Sequence, residues 1–127
     1  MIVVDTSALM AILLGEADAD ACIAVLEAET AVLISAGTVA EALIVAARRG
    51  FGRKMADLID SLAIEIVPAT AASARRMADA YARWGKGVHP AALNFGDCFA
   101  YEVAKENACQ LLYVGDDFAK TDVLGAR

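Results

Sequence analysis

The chain lacks most of what would mark it as disordered, membrane-bound or secreted. It has only two prolines in 127 residues and a hydrophobic fraction of 59%, a composition that excludes intrinsic disorder. No uncharged run reaches the roughly 20 apolar residues of a membrane span, and the longest near the start, Thr6 to Gly15, is too short. Asp5 stands where a secretory signal would carry Lys or Arg, so a soluble, cytoplasmic protein is expected. Cys22, Cys98 and Cys109 are odd in number and have no C-x-x-C spacing. They therefore read as small buried thiols in a reducing compartment, not as a disulfide frame or a zinc site. His89, the one histidine, has the chemistry of a general base but reads as a loop residue without a catalytic role.

Positive charge is missing from the first third. Residues 1–47 hold seven acids (Asp5, Glu16, Asp18, Asp20, Glu27, Glu29 and Glu41) and no Lys or Arg. Residues 48–86 hold eight bases (Arg48, Arg49, Arg53, Lys54, Arg75, Arg76, Arg83 and Lys86) against four acids, and residues 87–127 hold three bases against six acids. The net charge of −6 thus conceals a basic middle segment suited to phosphates, between ends that supply carboxylates. The competing reading of those bases is a set of solvated helix faces.

What is present alternates between strand and helix. Ile2-Val3-Val4 is β-branched without polar alternation, the pattern of a strand buried on both faces of a parallel sheet. A helix over Thr6–Leu13 stops at Gly15, and a second covers Ala17–Glu29. Val32–Ile34 reads as the next strand and Ser35–Gly37 as a turn. Thr38 then caps a helix over Val39–Arg49, with Ala40, Leu43, Ile44 and Ala47 turned to the core. A helix over Gly52–Ala63, a strand over Ile64–Val67 and a helix over Thr70–Trp84 follow. The last has Ala71, Ala74, Met77, Ala78 and Tyr81 inward and Arg75, Arg76 and Arg83 outward. After the loop Val88–Leu93, Asn94 caps a helix running to Asn107, Leu111–Val114 forms a fourth strand, and Val123-Leu124 adds a short edge strand. Such alternation predicts one α/β domain over residues 1–127, a three-layer α/β/α sandwich around a central parallel sheet.

Four acids have positions that matter in such a fold. Asp5 directly follows the first strand, and Asp116 or Asp117 directly follows the fourth. Glu41 and Asp97 lie near helix starts, and helices that follow parallel strands begin at the carboxyl edge of the sheet, where ligands bind. Each acid has a plain alternative: Asp5 as a helix cap, Glu41 as the partner of Thr38 in a T-x-x-E capping box, Asp97 as a cap interaction, and Asp116-Asp117 as an acidic turn. Glu41, however, is the only charge in an apolar helix, and a lone buried carboxylate is costly unless paired or metal-bound. Four carboxylates on one edge repel without a cation, and an all-oxygen set suits Mg²⁺ or Mn²⁺. Such an ion activates water and offsets phosphoryl charge, so phosphodiester hydrolysis is the natural use, with the basic segment holding a nucleic-acid backbone.

At these residues the chain resembles the PIN-domain proteins, and among them the VapC-type toxin ribonucleases of type II toxin–antitoxin pairs. The resemblance spans nearly the whole chain. It is carried by Val3-Val4-Asp5-Thr6-Ser7-Ala8-Leu9, Glu41 ahead of Arg48-Arg49-Gly50, Leu93-Asn94-Phe95-Gly96-Asp97-Cys98, and Leu111-Leu112-Tyr113-Val114-Gly115-Asp116-Asp117-Phe118. It implies an α/β/α fold and a metal-dependent endoribonuclease acting on a structured cellular RNA such as tRNA or rRNA. Asp5, Glu41, Asp97 and Asp116 would be the metal-holding catalytic acids, and Ser7 a hydroxyl that orders the site. Many members carry the fourth acid one residue earlier, where this chain has Gly115, so Asp116 takes the role, with Asp117 next in line. It also implies a homodimer and a VapB-type antitoxin that inserts a segment into a groove beside the acids.

Other classes fit less well. A phosphoacceptor receiver domain needs paired acids after strand one and an acceptor Asp after strand three, where this chain has a single Asp and Pro68-Ala69-Thr70. A haloacid-dehalogenase-like phosphatase needs a second Asp where Ser7 stands. A non-catalytic partner-binding module on the same fold would have no use for the retained acids.

Overall fold

The computed structural model describes all residues, 1–127. Strand β1 (Ile2–Val4) leads into α1 (Thr6–Leu14) and α2 (Ala19–Ala28). Then come β2 (Val32–Ser35), α3 (Ala36–Arg48), α4 (Gly52–Ser61), β3 (Glu65–Val67), α5 (Ala71–Trp84), α6 (Phe95–Glu106) and β4 (Gln110–Leu112). The four strands form one sheet in the order β3-β2-β1-β4, and every pairing is parallel. Val3 pairs with Leu33 on one side and Leu111 on the other, which makes β1 a central strand.

Alternation along β1 divides the core into two layers. Val3, with Leu33 and Leu111, packs against α5 and α6 through Met77, Trp84, Cys98, Tyr101 and Val103. Ile2 and Val4, with Ile34 and Leu112, pack against α1 to α4 through Leu9, Cys22, Leu26, Ala46 and Met55. Both faces of β1 are therefore covered, as its unbroken apolar sequence requires. The three cysteines are free; Cys22 and Cys98 are buried as expected, but Cys109, just before β4, is only half-buried. No helix is long and apolar enough to cross a membrane.

Two helices differ from the sequence expectation in register. Helix α3 starts at Ala36, because β2 runs on to Ser35 and Ser35 Oγ caps the helix by accepting from Gly37 N at 3.2 Å. Thr38 and Glu41 therefore lie inside the helix and form no capping box. Its buried positions are Thr38, Ala42 and Ala46, while Ala40, Ile44 and Ala47 are exposed and Leu43 is half-buried. In α5 the buried face is Ser73, Met77, Ala80 and Trp84, so of the expected inward set only Met77 is buried. Ala71, Ala74, Ala78 and Tyr81 are exposed. Alanine-rich helices carry apolar atoms all round, so the packed face is set by the larger residue, here Trp84. Its Nε1 donates to Tyr101 Oη at 2.9 Å, and Tyr101 Oη donates to Asp122 at 2.6 Å. The expected edge strand at Val123-Leu124 reduces to one bridge between Leu111 and Gly125, with Leu124 exposed.

Part of the basic segment is absorbed by the fold. Arg76 faces Glu102 at 3.7 Å and Glu106 at 3.3 Å. Arg83 lies over the Trp84 ring and faces Asp122 at 3.7 Å. Arg48, Arg49, Arg53 and Lys54 are exposed at the α3–α4 turn. The loop after α5 is tied down: Lys86 N donates to Leu93 O, and His89 Nδ1 accepts from Ala91 N at 3.0 Å while its ring edge meets Trp84.

Candidate active site

The carboxyl end of β1 places Asp5. Its N–H continues the sheet by donating to Leu112 O at 2.9 Å, and its side chain caps α1. Oδ2 accepts from Ser7 N at 3.0 Å and Ser7 Oγ at 2.6 Å, and Ser7 Oγ itself accepts from Val114 N at 3.0 Å. Ser7 thus fixes Asp5 and ties the end of β1 to the segment after β4. Asp5 is 3% exposed, and its Oδ1 is buried with no hydrogen-bond partner. Burial pushes its ionisation up to about 6, against the opposing pull of the Ser7 hydrogen bonds and with the Glu41 charge adding to the rise.

Glu41 reaches the same edge from the second turn of α3. Its Oε1 accepts from Thr6 Oγ1 at 2.6 Å, and its other oxygen lies against the backbone of Gly96 in α6. Asp97 arrives from the first turn of α6. Asn94 Oδ1 accepts from Asp97 N at 2.8 Å, and Asp97 Oδ2 accepts from Asn94 N at 3.0 Å, a reciprocal capping box. Burial again lifts Asp97 to about 6, with the charges of Asp5, Glu41 and Asp117 adding to the rise and the Asn94 hydrogen bond opposing it.

Three of the expected acids, Asp5, Glu41 and Asp97, therefore gather from β1, α3 and α6 within electrostatic reach of one another. Asp116 and Asp117 follow β4 on an exposed turn that begins at Gly115, where φ is +106°. Asp117 is the one whose charge acts on Asp97. Asp116 instead lines a polar pocket of about 360 Å³ with Asp18, Gly115 and Arg127. The carboxylates do not close into a preformed cage of three ligands. The capping alternatives hold for Asp5 and Asp97 and fail for Glu41.

Two contacts at the site were not expected from sequence. Thr6 lies at the β1–α1 junction and Gly96 in the first turn of α6, and both touch Glu41. No local spacing links positions 6, 41 and 96, so only the tertiary fold reveals the connection.

An apolar groove of about 440 Å³ runs between α5 and α6, lined by Met77, Ala78, Tyr81, Phe95, Cys98 and Phe99 among others. Phe95 is 73% exposed on its rim.

A parallel sheet with acids collected at its carboxyl edge is the arrangement of a PIN domain, and the chain belongs to that family: residues 2–124 match it. Within the family it groups with the VapC ribonucleases. It is 41% identical to ribonuclease VapC30 of Mycobacterium tuberculosis over 124 residues, covering 95% of each chain. It is 40% identical to a ribonuclease VapC of Mycolicibacterium smegmatis over 127 residues, covering 95% of this chain and 96% of the other. Among solved structures, the fold resembles VapC20 of Mycobacterium tuberculosis, described as a sarcin–ricin loop cleaving toxin. The TM-score is 0.79 at 18% identity, over 98% of this chain and 97% of that one. A toxin–antitoxin complex from Klebsiella pneumoniae gives a TM-score of 0.73 at 19% identity, over 100% and 98%. Those two likenesses establish the fold alone.

Proposed function

We propose that this chain, acting as a single catalytic unit over residues 1–127, is the ribonuclease toxin of a VapBC-type pair. It hydrolyses phosphodiester bonds in a structured cellular RNA, tRNA or rRNA, in the cytoplasm, with Mg²⁺ or Mn²⁺. The observation that carries the metal dependence is Asp5. A buried carboxylate with one oxygen bound twice by Ser7 and the other without a partner is an expensive arrangement for a protein to keep unless a cation completes it. The donor set fits a hard divalent ion, being all carboxylate oxygen. Asp5, Glu41 and Asp97 would hold it, with Asp116 or Asp117 completing the set. When bound, such an ion supplies an activated water and offsets charge on the phosphoryl group.

The chain's own residues orient and neutralise. Ser7 holds Asp5 Oδ2 and Asn94 holds Asp97 Oδ2, so each carboxylate keeps its other oxygen out of the cap. Without a cation, Asp5 and Asp97 keep protons up to about pH 6, which limits the mutual repulsion. The exposed bases Arg48, Arg49, Arg53 and Lys54 are suited to the RNA backbone. Arg48 lies seven residues along α3 from Glu41, roughly 10 Å at 1.5 Å per residue. The groove rimmed by Phe95 is suited to an apolar antitoxin segment, because its lining is wholly apolar. A homodimer is the expected assembly.

The test is cleavage of purified RNAs, tRNA and rRNA included, by antitoxin-free protein in Mg²⁺ or EDTA, with Asp5→Ala as control. Cleavage that requires both the ion and Asp5 is expected. No cleavage, or equal cleavage in EDTA and by Asp5→Ala, would overturn the mechanism and leave a partner-binding module on the same fold.

A further inference from the structure

We propose that Thr6 and Gly96 form a clamp that sets the position of the Glu41 carboxylate, Thr6 acting as a positioning residue and Gly96 as the wall it is held against. The inference rests on the metal-dependent nuclease reading above. Glu41 is on a long, flexible side chain and shares its surroundings with Asp5 and Asp97, whose charges repel it. Left to itself it would turn toward solvent. Two contacts oppose that. Thr6 Oγ1 is buried and donates to Glu41 Oε1 at 2.6 Å, a short charge-assisted bond. The same hydroxyl is 3.5 Å from Thr38 O, so its one proton belongs to Glu41.

Gly96 supplies the other side. It sits in the first turn of α6 and is not among the glycines with positive φ, so its backbone does not require glycine. A Cβ there would overlap Glu41 Oε2 and stand 3.0 Å from Oε1. What the missing side chain provides is room for the Glu41 carboxylate. The clamp also ties three elements together at the site: α1 through Thr6, α3 through Glu41, and α6 through Gly96, one residue before Asp97.

The position of Gly96 makes the clamp testable without confusion with folding. Alanine is a better helix former than glycine, and the atoms in its way are the far end of a flexible side chain. Gly96→Ala is therefore expected to melt no lower than wild type, yet to lose about tenfold or more in kcat with KM for RNA unchanged, because an acid has been moved off its position. Thr6→Val, which keeps the shape and removes the donor, is expected to lose a similar factor, and Thr6→Ser to stay within about threefold. A second readout needs no turnover. Mn²⁺ titrated into the RNA-free protein should bind several-fold more weakly to Gly96→Ala and Thr6→Val than to wild type, and the two changes should add nothing in a Glu41→Ala background.

Wild-type kcat and Mn²⁺ affinity in Gly96→Ala, or equal losses with and without Glu41, would overturn the clamp while leaving the nuclease reading intact. Full cleavage by Glu41→Ala would instead remove Glu41 from the active acids, and the clamp with it.

Discussion

Asp5→Asn should make the metal-free protein more stable while abolishing its activity. A carboxyl that ionises at about 6 in the folded chain and at 3.8 when free costs the fold on the order of 3 kcal/mol once it is ionised in both states. The sign follows from the direction of the shift. The folded protein holds the Asp5 proton more tightly than the unfolded chain does, so this contribution is complete below pH 3.8 and is lost as pH rises through about 6. Asparagine keeps the shape and still caps a helix, but carries no charge to bury. Against the gain, the amide NH₂ that Asn places at the buried Oδ1 position finds no acceptor, a loss of about 1–2 kcal/mol. The balance is a gain of about 1–2 kcal/mol near neutral pH, or roughly 3–8 °C in a domain of this size.

The assay is differential scanning calorimetry of both proteins in EDTA, at about pH 7.5 and about pH 4.5. At the lower pH wild-type Asp5 is itself protonated, and the linkage removes about 2 kcal/mol of the advantage, so the two proteins should melt together or in reverse order. Added Mn²⁺ should then raise the wild-type Tm and leave that of Asp5→Asn unmoved, since a ligand stabilises only the state that binds it. A variant that melts at or below wild type at pH 7.5, or that keeps the same advantage at both pH values, would refute the claim that an unpaired buried charge is stored at Asp5.

Two further substitutions separate structure from chemistry. Tyr101→Phe leaves the buried Trp84 Nε1 without its acceptor and Asp122 without its donor, so urea unfolding should show a loss of about 1–3 kcal/mol with kcat unchanged. An unaltered midpoint would mean that the network contributes nothing. Gly37→Ala places a Cβ into the Phe99 ring, a rigid aromatic rather than the tip of a flexible carboxylate side chain. It should lower stability by about 1–3 kcal/mol through overpacking, the opposite sign to Gly96→Ala, and equal Tm shifts for the two would contradict the packing described.

The parts of this fold that could be read along the chain are those where a local pattern admits one physical solution. Ile2-Val3-Val4 has no polar alternation, so it must be covered on both faces, and that alone places Asp5 at the carboxyl edge of a central strand. Helices α3 and α5 were harder for the opposite reason. Their alanines satisfy several faces at once, and the choice was made by partners distant in sequence: Phe99 closing on Gly37, and Tyr101 holding Trp84. Glu41 shows how narrow such a decision is. Thr38 and Glu41 fit a capping box by spacing, but one more residue of strand, Ser35, takes over the cap and moves Glu41 into the second turn. Only there can it meet Thr6.

Capping a helix does not exclude a second role for an acid, as the geometry of Asp5 and Asp97 illustrates. A carboxylate has two oxygens. Asp5 gives Oδ2 to the first turn of α1 and leaves Oδ1 without a partner. Asp97 gives Oδ2 to Asn94. Each cap fixes the rotamer of the acid through one oxygen and leaves the other out of the cap. The helix terminus also favours negative charge, so it partly offsets the cost of holding a carboxylate in an apolar setting. A capping acid at a strand–helix junction on the carboxyl edge of a parallel sheet thus still has one oxygen free of the cap. What distinguishes a functional cap from a structural one is the second oxygen. Where it meets solvent or a donor the cap is complete, and where it is buried without a partner, as in Asp5, capping alone does not account for the carboxylate.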